Sequence, residues 1–196
     1  MKPKALTKSF YARDTAEVAH DLLGKTLVRR FGNETLEGLI VETEAYYGLD
    51  DPASRAYKGK KSFNAVMFEE PGRLFIYNVH KYWMLNFVAH ELEKVGAVLI
   101  RAIEPTQGVE AMRATRTVST DVDLTNGPGK LTIALNVDKS LNGFQVTNER
   151  YPIHVLDNLL DFEICRSFRI GVTNDLPEKM RFYMRGNKFV SRQKWV

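Results

Sequence analysis

The chain has 196 residues, 44% of them hydrophobic, which suffices for one buried core and points to a single compact domain spanning 1–196. A lone cysteine, Cys165, excludes an internal disulfide framework, and no Cys/His cluster has zinc-ligand spacing, so a reducing compartment and no metal are expected. Net charge is +4, with an isoelectric point of about 9.1. No run approaches the roughly 20 apolar residues of a membrane span. The lysines of the opening MKPKALTKSFYARD precede no apolar stretch, so no secretory signal is expected and the cytosol is the expected location.

In chain order, DTAEVAHDLLG (14–24) reads as a short helix, with Asp14 or Thr15 as cap, an apolar stripe of Ala19, Leu22 and Leu23, and Gly24 as its end. KTLVRRF, the turn Gly32–Asn33 and ETLEGLIVETEAY predict a β-hairpin. DDPASRAYKGKKSFN (50–64) is polar and punctuated by Gly and Pro, the signature of a functional loop. RLFIYNV and KYWMLNFVA predict a second hairpin with His80 and Lys81 near its turn. AVLIRAIEP (97–105) predicts a further strand, VEAMRATR a helix, and NGPGKLTIALNV another helix with Asn126 as cap and Pro128 in the first turn. The remainder reads as short strands and turns, so the class is α+β with mostly antiparallel pairing.

Side chains alternate faces along a strand, which places Glu42, Glu44 and Tyr46 on one side and Val41, Thr43 and Ala45 on the other. Glu42 is open to a surface or structural role, and Glu44 to an ion pair. Arg101 lies between Ile100 and Ala102, on the expected face of Leu99 and Ile103, and a guanidinium there needs a carboxylate such as Glu44. Tyr77 and Asn86 also put polar groups among apolar neighbours. Each is open to being a satisfied core residue, but together they outline an aromatic-walled pocket for a planar ligand.

For a nucleobase, one carboxylate can both stabilise the charge developing on the sugar and deprotonate water. A lyase route would need an amine nucleophile, and no lysine falls in these strands. Asp50 and Asp51 lack a third metal ligand nearby and read as loop-forming acids. Gly127, Pro128, Gly129 and Lys130 at a helix start suit either a phosphate or an ordinary helix entry. Residues 166–196 carry eight Lys/Arg against two Asp/Glu among Phe168, Phe182, Tyr183, Phe189 and Trp195, which suits a polyanion or a solvated cationic surface.

Five ordered segments, LIVETEAYYGLDDPASRAYKGK, VMFEEPGRLFIYNVHKYWMLNFVA, VLIRAIEPTQG, TNGPGKLT and RFYMRGNKFVSR, resemble the alkyladenine (3-methyladenine) DNA glycosylase family over most of the chain. The resemblance implies a curved, mostly antiparallel sheet with flanking helices and a protruding β-hairpin. It also implies a monomer without cofactor that excises damaged purines from duplex DNA. By matching position, Glu44 resembles the general base, Arg101 the arginine beside the attacking water, and Asn86 the pocket residue that excludes undamaged guanine. Tyr46 and Tyr77 match the aromatic pair around the flipped base. His80 falls at the wedge that fills the vacated stack, with Lys81 or Tyr82 as alternatives.

Phosphate contacts are expected from Gly127, Gly129, Lys130, Arg181 and Arg185. Arg55 stands where many members carry a pocket histidine, and either points outward to a phosphate or donates to an acceptor such as O6 of hypoxanthine. The competing reading is a non-catalytic binder of damaged or structured nucleic acid on the same fold.

Overall fold

The computed structural model describes residues 3–191. Helix α1 (Lys8–Tyr11) precedes α2 (Thr15–Asp21), where Asp14 accepts from the backbone N–H groups of Ala16 and Glu17 and so fulfils the expected cap. The expected first hairpin forms from β1 (Thr26–Phe31) and β2 (Glu34–Tyr47), joined by Gly32 and Asn33. A 3₁₀ turn at Ser62–Phe68 then leads to the second hairpin, β3 (Leu74–Val79) and β4 (Tyr82–Val88). Next come β5 (Gly96–Gln107), α3 (Val109–Thr115), α4 (Val122–Thr125) and α5 (Pro128–Ala134). Three short strands follow, β6 (Ile153–Leu156), β7 (Ile164–Ser167) and β8 (Arg181–Met184).

All strand pairs are antiparallel, in the order β3-β4-β5-β2-β1-β6, with β8 also on β2 and β7 on β8. The long β2 is shared: its first half pairs with β1, Glu42 to Glu44 pair with β8, and β5 runs along its other edge. The sheet curls into a half-barrel, and helices α2 and α5 cover its apolar side. There Val18, Ala19 and Leu131 pack on Ile40, Ala45, Ile100 and Ile103. The α+β class and the protruding hairpin thus stand as expected. Among the described residues, no helix is long and apolar enough to cross a membrane.

Two bulges alter the expected faces. Ile40 pairs with Ile103 and Glu42 with Ala102, which leaves Val41 without a partner, and Thr43 pairs with Ile100, which leaves Arg101 without one. Strict alternation therefore fails at both places. Val41 packs with Ala102, Met184 and Phe189 away from Thr43 and Ala45, and Ile103 joins the main core, away from Arg101. One helix entry also differs from expectation. Gly127 occupies the cap of α5 with Pro128 at its first position, while Asn126 ends α4 and bridges to Ala102.

Candidate active site

The bulges turn β2 and β5 so that Glu42, Glu44 and Arg101 meet, and all three are buried. Arg101 Nε donates to Glu42 Oε1 at 2.7 Å, and its Nη1 lies 3.1 Å from Glu44 Oε1. The two glutamates nevertheless have different surroundings. Glu42 Oε1 accepts from Arg101, Arg181 Nε and Ser191 Oγ, and Oε2 accepts from the Ser191 backbone N–H, each at 2.7 Å. Four protein donors thus converge on Glu42. Glu44 Oε1 accepts from the Ile170 backbone N–H at 2.8 Å, but Oε2 receives only the Tyr46 hydroxyl, also at 2.8 Å. A carboxylate oxygen offers two lone pairs, so Oε2 keeps one acceptor position.

Burial alone would raise the Glu42 carboxyl, but Arg101 and Arg181 overcome it and hold Glu42 below its ordinary value of 4.5. Burial likewise works against the Arg101 cation, and Glu44 and Glu42 more than offset it. A carboxyl held low in the folded chain contributes stability above its ordinary value and loses it as pH falls through the folded value. Denaturant midpoints of the native chain are therefore expected to fall as the solution is acidified below about pH 4.5. In Glu42→Gln that acid-dependent loss should shrink, because the titrating group is gone; identical acid slopes in the two proteins would exclude Glu42 as its source.

Above this cluster opens a cavity of about 470 Å³, walled by Tyr46, Tyr77, Arg55 and Arg101, with Pro128 and the segment 170–174 closing it. Its size suits a flipped nucleoside. Glu44 does not border the cavity itself; Tyr46, Arg101 and Ile170, its three contacts, do. The Tyr46 hydroxyl is pushed well up by burial and by the Glu44 carboxylate, and therefore stays a donor to it. Asn86 is buried, with Nδ2 on the carbonyls of Phe75 and Met84; it does not line this cavity but a separate small pocket that shares Tyr46, Arg55 and Tyr77 with it.

Arg169, which takes no part in the cavity wall, carries the architecture behind it. Its guanidinium lies 4.5 Å from the Tyr46 ring centroid and makes paired bonds to Asp51 at 2.6 and 2.8 Å. It also reaches Asp175 and the Ala45 carbonyl. Asp51 accepts from the backbone N–H groups of Tyr47 and Ala53, so the loop-forming reading holds and Arg169 adds a second task. One buried cation thus fixes the end of β2, the 50–64 loop and the segment that delivers the Ile170 N–H to Glu44. Nothing in the sequence pattern pairs Arg169 with Asp51. The only local hint was an arginine set between Phe168 and Ile170.

The expected phosphate contacts divide. Arg181 is buried, bonded to Glu42, Ser167 and Ser191, and therefore belongs to the interior; the basic C-terminal composition does not reveal this. Arg185 is exposed and pairs with Glu163. Lys130 Nζ is held by Asp123 Oδ1 at 3.0 Å and Asn126 Oδ1 at 2.6 Å. Arg192, Lys194 and Trp195 lie outside the described residues.

The β3–β4 turn consists of His80 and Lys81, both exposed. His80 has φ 53°, a left-handed conformation that costs an L-residue energy. Tyr82, the first residue of β4, pairs with Val79 beside the turn: a Cβ on Gly129 would come within 2.8 Å of its Cγ, so the glycine lets the ring close onto α5. Among the described residues no group of three or more His, Cys, Asp or Glu is placed to hold a metal ion.

A curled antiparallel sheet thus opens a base-sized cleft over a buried glutamate, beside the β3–β4 hairpin. The family described as Methylpurine-DNA glycosylase (MPG) matches residues 9–188, and the chain belongs to that family. A Clostridium perfringens (strain 13) protein named as a candidate 3-methyladenine DNA glycosylase is 41% identical, covering 96% of this chain and 99% of its own length. Relatives with the same name from Carboxydothermus hydrogenoformans and Aeropyrum pernix are 40% and 37% identical over 96% of this chain. They are covered over 99% and 94% of their lengths.

Proposed function

We propose that the chain rotates a damaged purine nucleotide out of duplex DNA and hydrolyses its N-glycosidic bond, leaving an abasic site in an unbroken strand. Its substrates are damaged purines: the alkylated bases 3-methyladenine and 7-methylguanine, together with hypoxanthine and ethenoadenine. The observation that carries this reading is the unequal pair of glutamates: four protein donors bind Glu42, whereas Glu44 accepts from two, and its three contacts, Tyr46, Arg101 and Ile170, all wall the cavity.

In this reading the flipped base rests against Tyr46, and stacking on an aromatic ring contributes roughly 1–3 kcal/mol toward the unstacking cost of a few kcal/mol. As the C1′–N9 bond lengthens, its electron pair moves to the base and positive charge grows on the sugar. Water adds its oxygen to C1′ and gives a proton to Glu44 Oε2. Arg101 and the Ile170 N–H hold the other carboxylate oxygen and so aim the first. No lysine among the described residues borders the cavity, which supports hydrolysis over Schiff-base chemistry. Chromatography of a methylated duplex treated with the chain is expected to show free 3-methyladenine. Tight binding with no released base would favour the non-catalytic alternative.

His80 enters the stack at the vacated position, and Lys81 beside it meets a phosphate. Arg181, being internal, makes no DNA contact. The slope of log Kd against log salt is therefore expected to fall by about 1 in Lys81→Ala. In Arg181→Gln the slope stays unchanged while thermal stability drops; the reverse pattern would relocate the phosphate contacts to β8.

A further inference from the structure

The cavity holds a cation that the excision reading leaves unassigned. Among the described residues its two charged wall residues are Arg101 and Arg55. Arg101 is neutralised by Glu42 and Glu44. Arg55 has no carboxylate within ion-pair distance among the described residues. Its Cζ lies 4.8 Å from the Tyr77 ring centroid, so a planar guanidinium covers one of the two aromatic walls. The backbone behind it is fixed: Asn64 Nδ2 donates to the Arg55 carbonyl at 2.7 Å, and the neighbouring Ser54 and Ala56 are buried. A cation with no carboxylate partner among the described residues thus stands on a fixed stretch of backbone at the cavity wall.

A guanidinium donates five hydrogen bonds and accepts none, and it keeps its charge throughout the accessible pH range. It repels a base that arrives with its own positive charge, as an N3- or N7-methylated purine does. It attracts a neutral purine whose outer edge offers acceptors, such as a carbonyl oxygen at C6 and an unmethylated N7.

The departing bases differ in the same sense. A cationic purine takes the glycosidic electron pair and leaves neutral. A neutral purine takes that pair and leaves with a negative charge, spread over its ring nitrogens and O6, until solvent returns a proton. A donor already aimed at that edge stabilises the charge as it forms.

Resting on the glycosylase reading, we propose that Arg55 makes this cavity selective for neutral, acceptor-bearing purines, the deaminated base hypoxanthine above all, over cationic methylated purines. In the reacting complex the base stacks on Tyr46, and the exposed Arg55 side chain leaves the Tyr77 face to come level with the plane of the base. Arg55 donates to its O6 and N7 edge, Glu44 takes the proton of the attacking water, and Arg55 itself exchanges no proton.

The test compares single-turnover rates on two duplexes of identical sequence, one with a central hypoxanthine and one with a central 7-methylguanine. It is run with the native chain, Arg55→Gln and Arg55→Lys. Arg55→Gln is expected to slow hypoxanthine release about tenfold or more, short of the ~100-fold of a fully enclosed donor because Arg55 is exposed. The same variant should speed 7-methylguanine release several-fold. Arg55→Lys retains the cation and should retain most of the hypoxanthine rate.

Equal slowing on both duplexes in Arg55→Gln, or loss of hypoxanthine release in Arg55→Lys as complete as in Arg55→Gln, overturns the assignment while leaving the glycosylase reading intact. Release of neither base by the native chain overturns the assignment, and absence of free 3-methyladenine from a methylated duplex as well overturns both.

Discussion

Replacing Glu44 with glutamine is expected to slow base release by roughly 10²- to 10⁴-fold, the usual contribution of a positioned general base, while affinity for damaged duplex is retained. Glutamine keeps the size of the side chain, and its carbonyl oxygen still accepts from the Ile170 N–H. Arg101 remains paired with Glu42. What disappears is the acceptor for the water proton. Single-turnover kinetics and a binding isotherm on the same duplex check this directly. A variant that turns over at the native rate would remove Glu44 from the chemistry, and one that no longer binds would recast it as a recognition residue.

The same change two residues earlier is expected to act on the fold. Glu42 is the common counter-ion of two buried guanidiniums, and neutralising it strands Arg181 and leaves Arg101 with Glu44 alone. Breaking a buried pair by removing one partner costs about 3–5 kcal/mol. For a chain of this size, a loss of ~3 kcal/mol lowers the melting temperature by roughly 6–12 °C. Activity per folded molecule should fall as well, because Arg101 is the residue that Glu42 aligns. Calorimetry of Glu42→Gln beside Glu44→Gln separates the two roles: a large thermal shift belongs to position 42 and a large rate loss to position 44. Equal thermal shifts in both variants would contradict the division.

These contrasts show where sequence patterning succeeds and where it stops. Period-two alternation with two-residue turns reveals both hairpins and the β2 and β5 strands, since those signals are local. Alternation also brings Glu44, Tyr46 and Arg101 near one another. It misses the bulges at Val41 and Arg101, because each depends on how two distant strands settle against one another.

Glu42 stays open between a surface and a structural role for the same reason: its partners lie 59, 139 and 149 residues away. The Arg169–Asp51 pair spans 118 residues and has no periodic signature. Charge counting in the C-terminal third correctly finds many cations, but it cannot separate the buried Arg169 and Arg181 from the exposed Arg185. Residues 170–174, which wall the cavity, follow neither strand nor helix periodicity and gave no sign beyond Gly171.

Borohydride trapping during turnover of a methylated duplex tests most directly whether Glu44 delivers water to the sugar without a covalent enzyme intermediate. The predicted result is free base and an unbroken abasic strand, in equal amounts, with no protein–DNA adduct. A reduced covalent adduct, or a strand broken at the lesion, would contradict it.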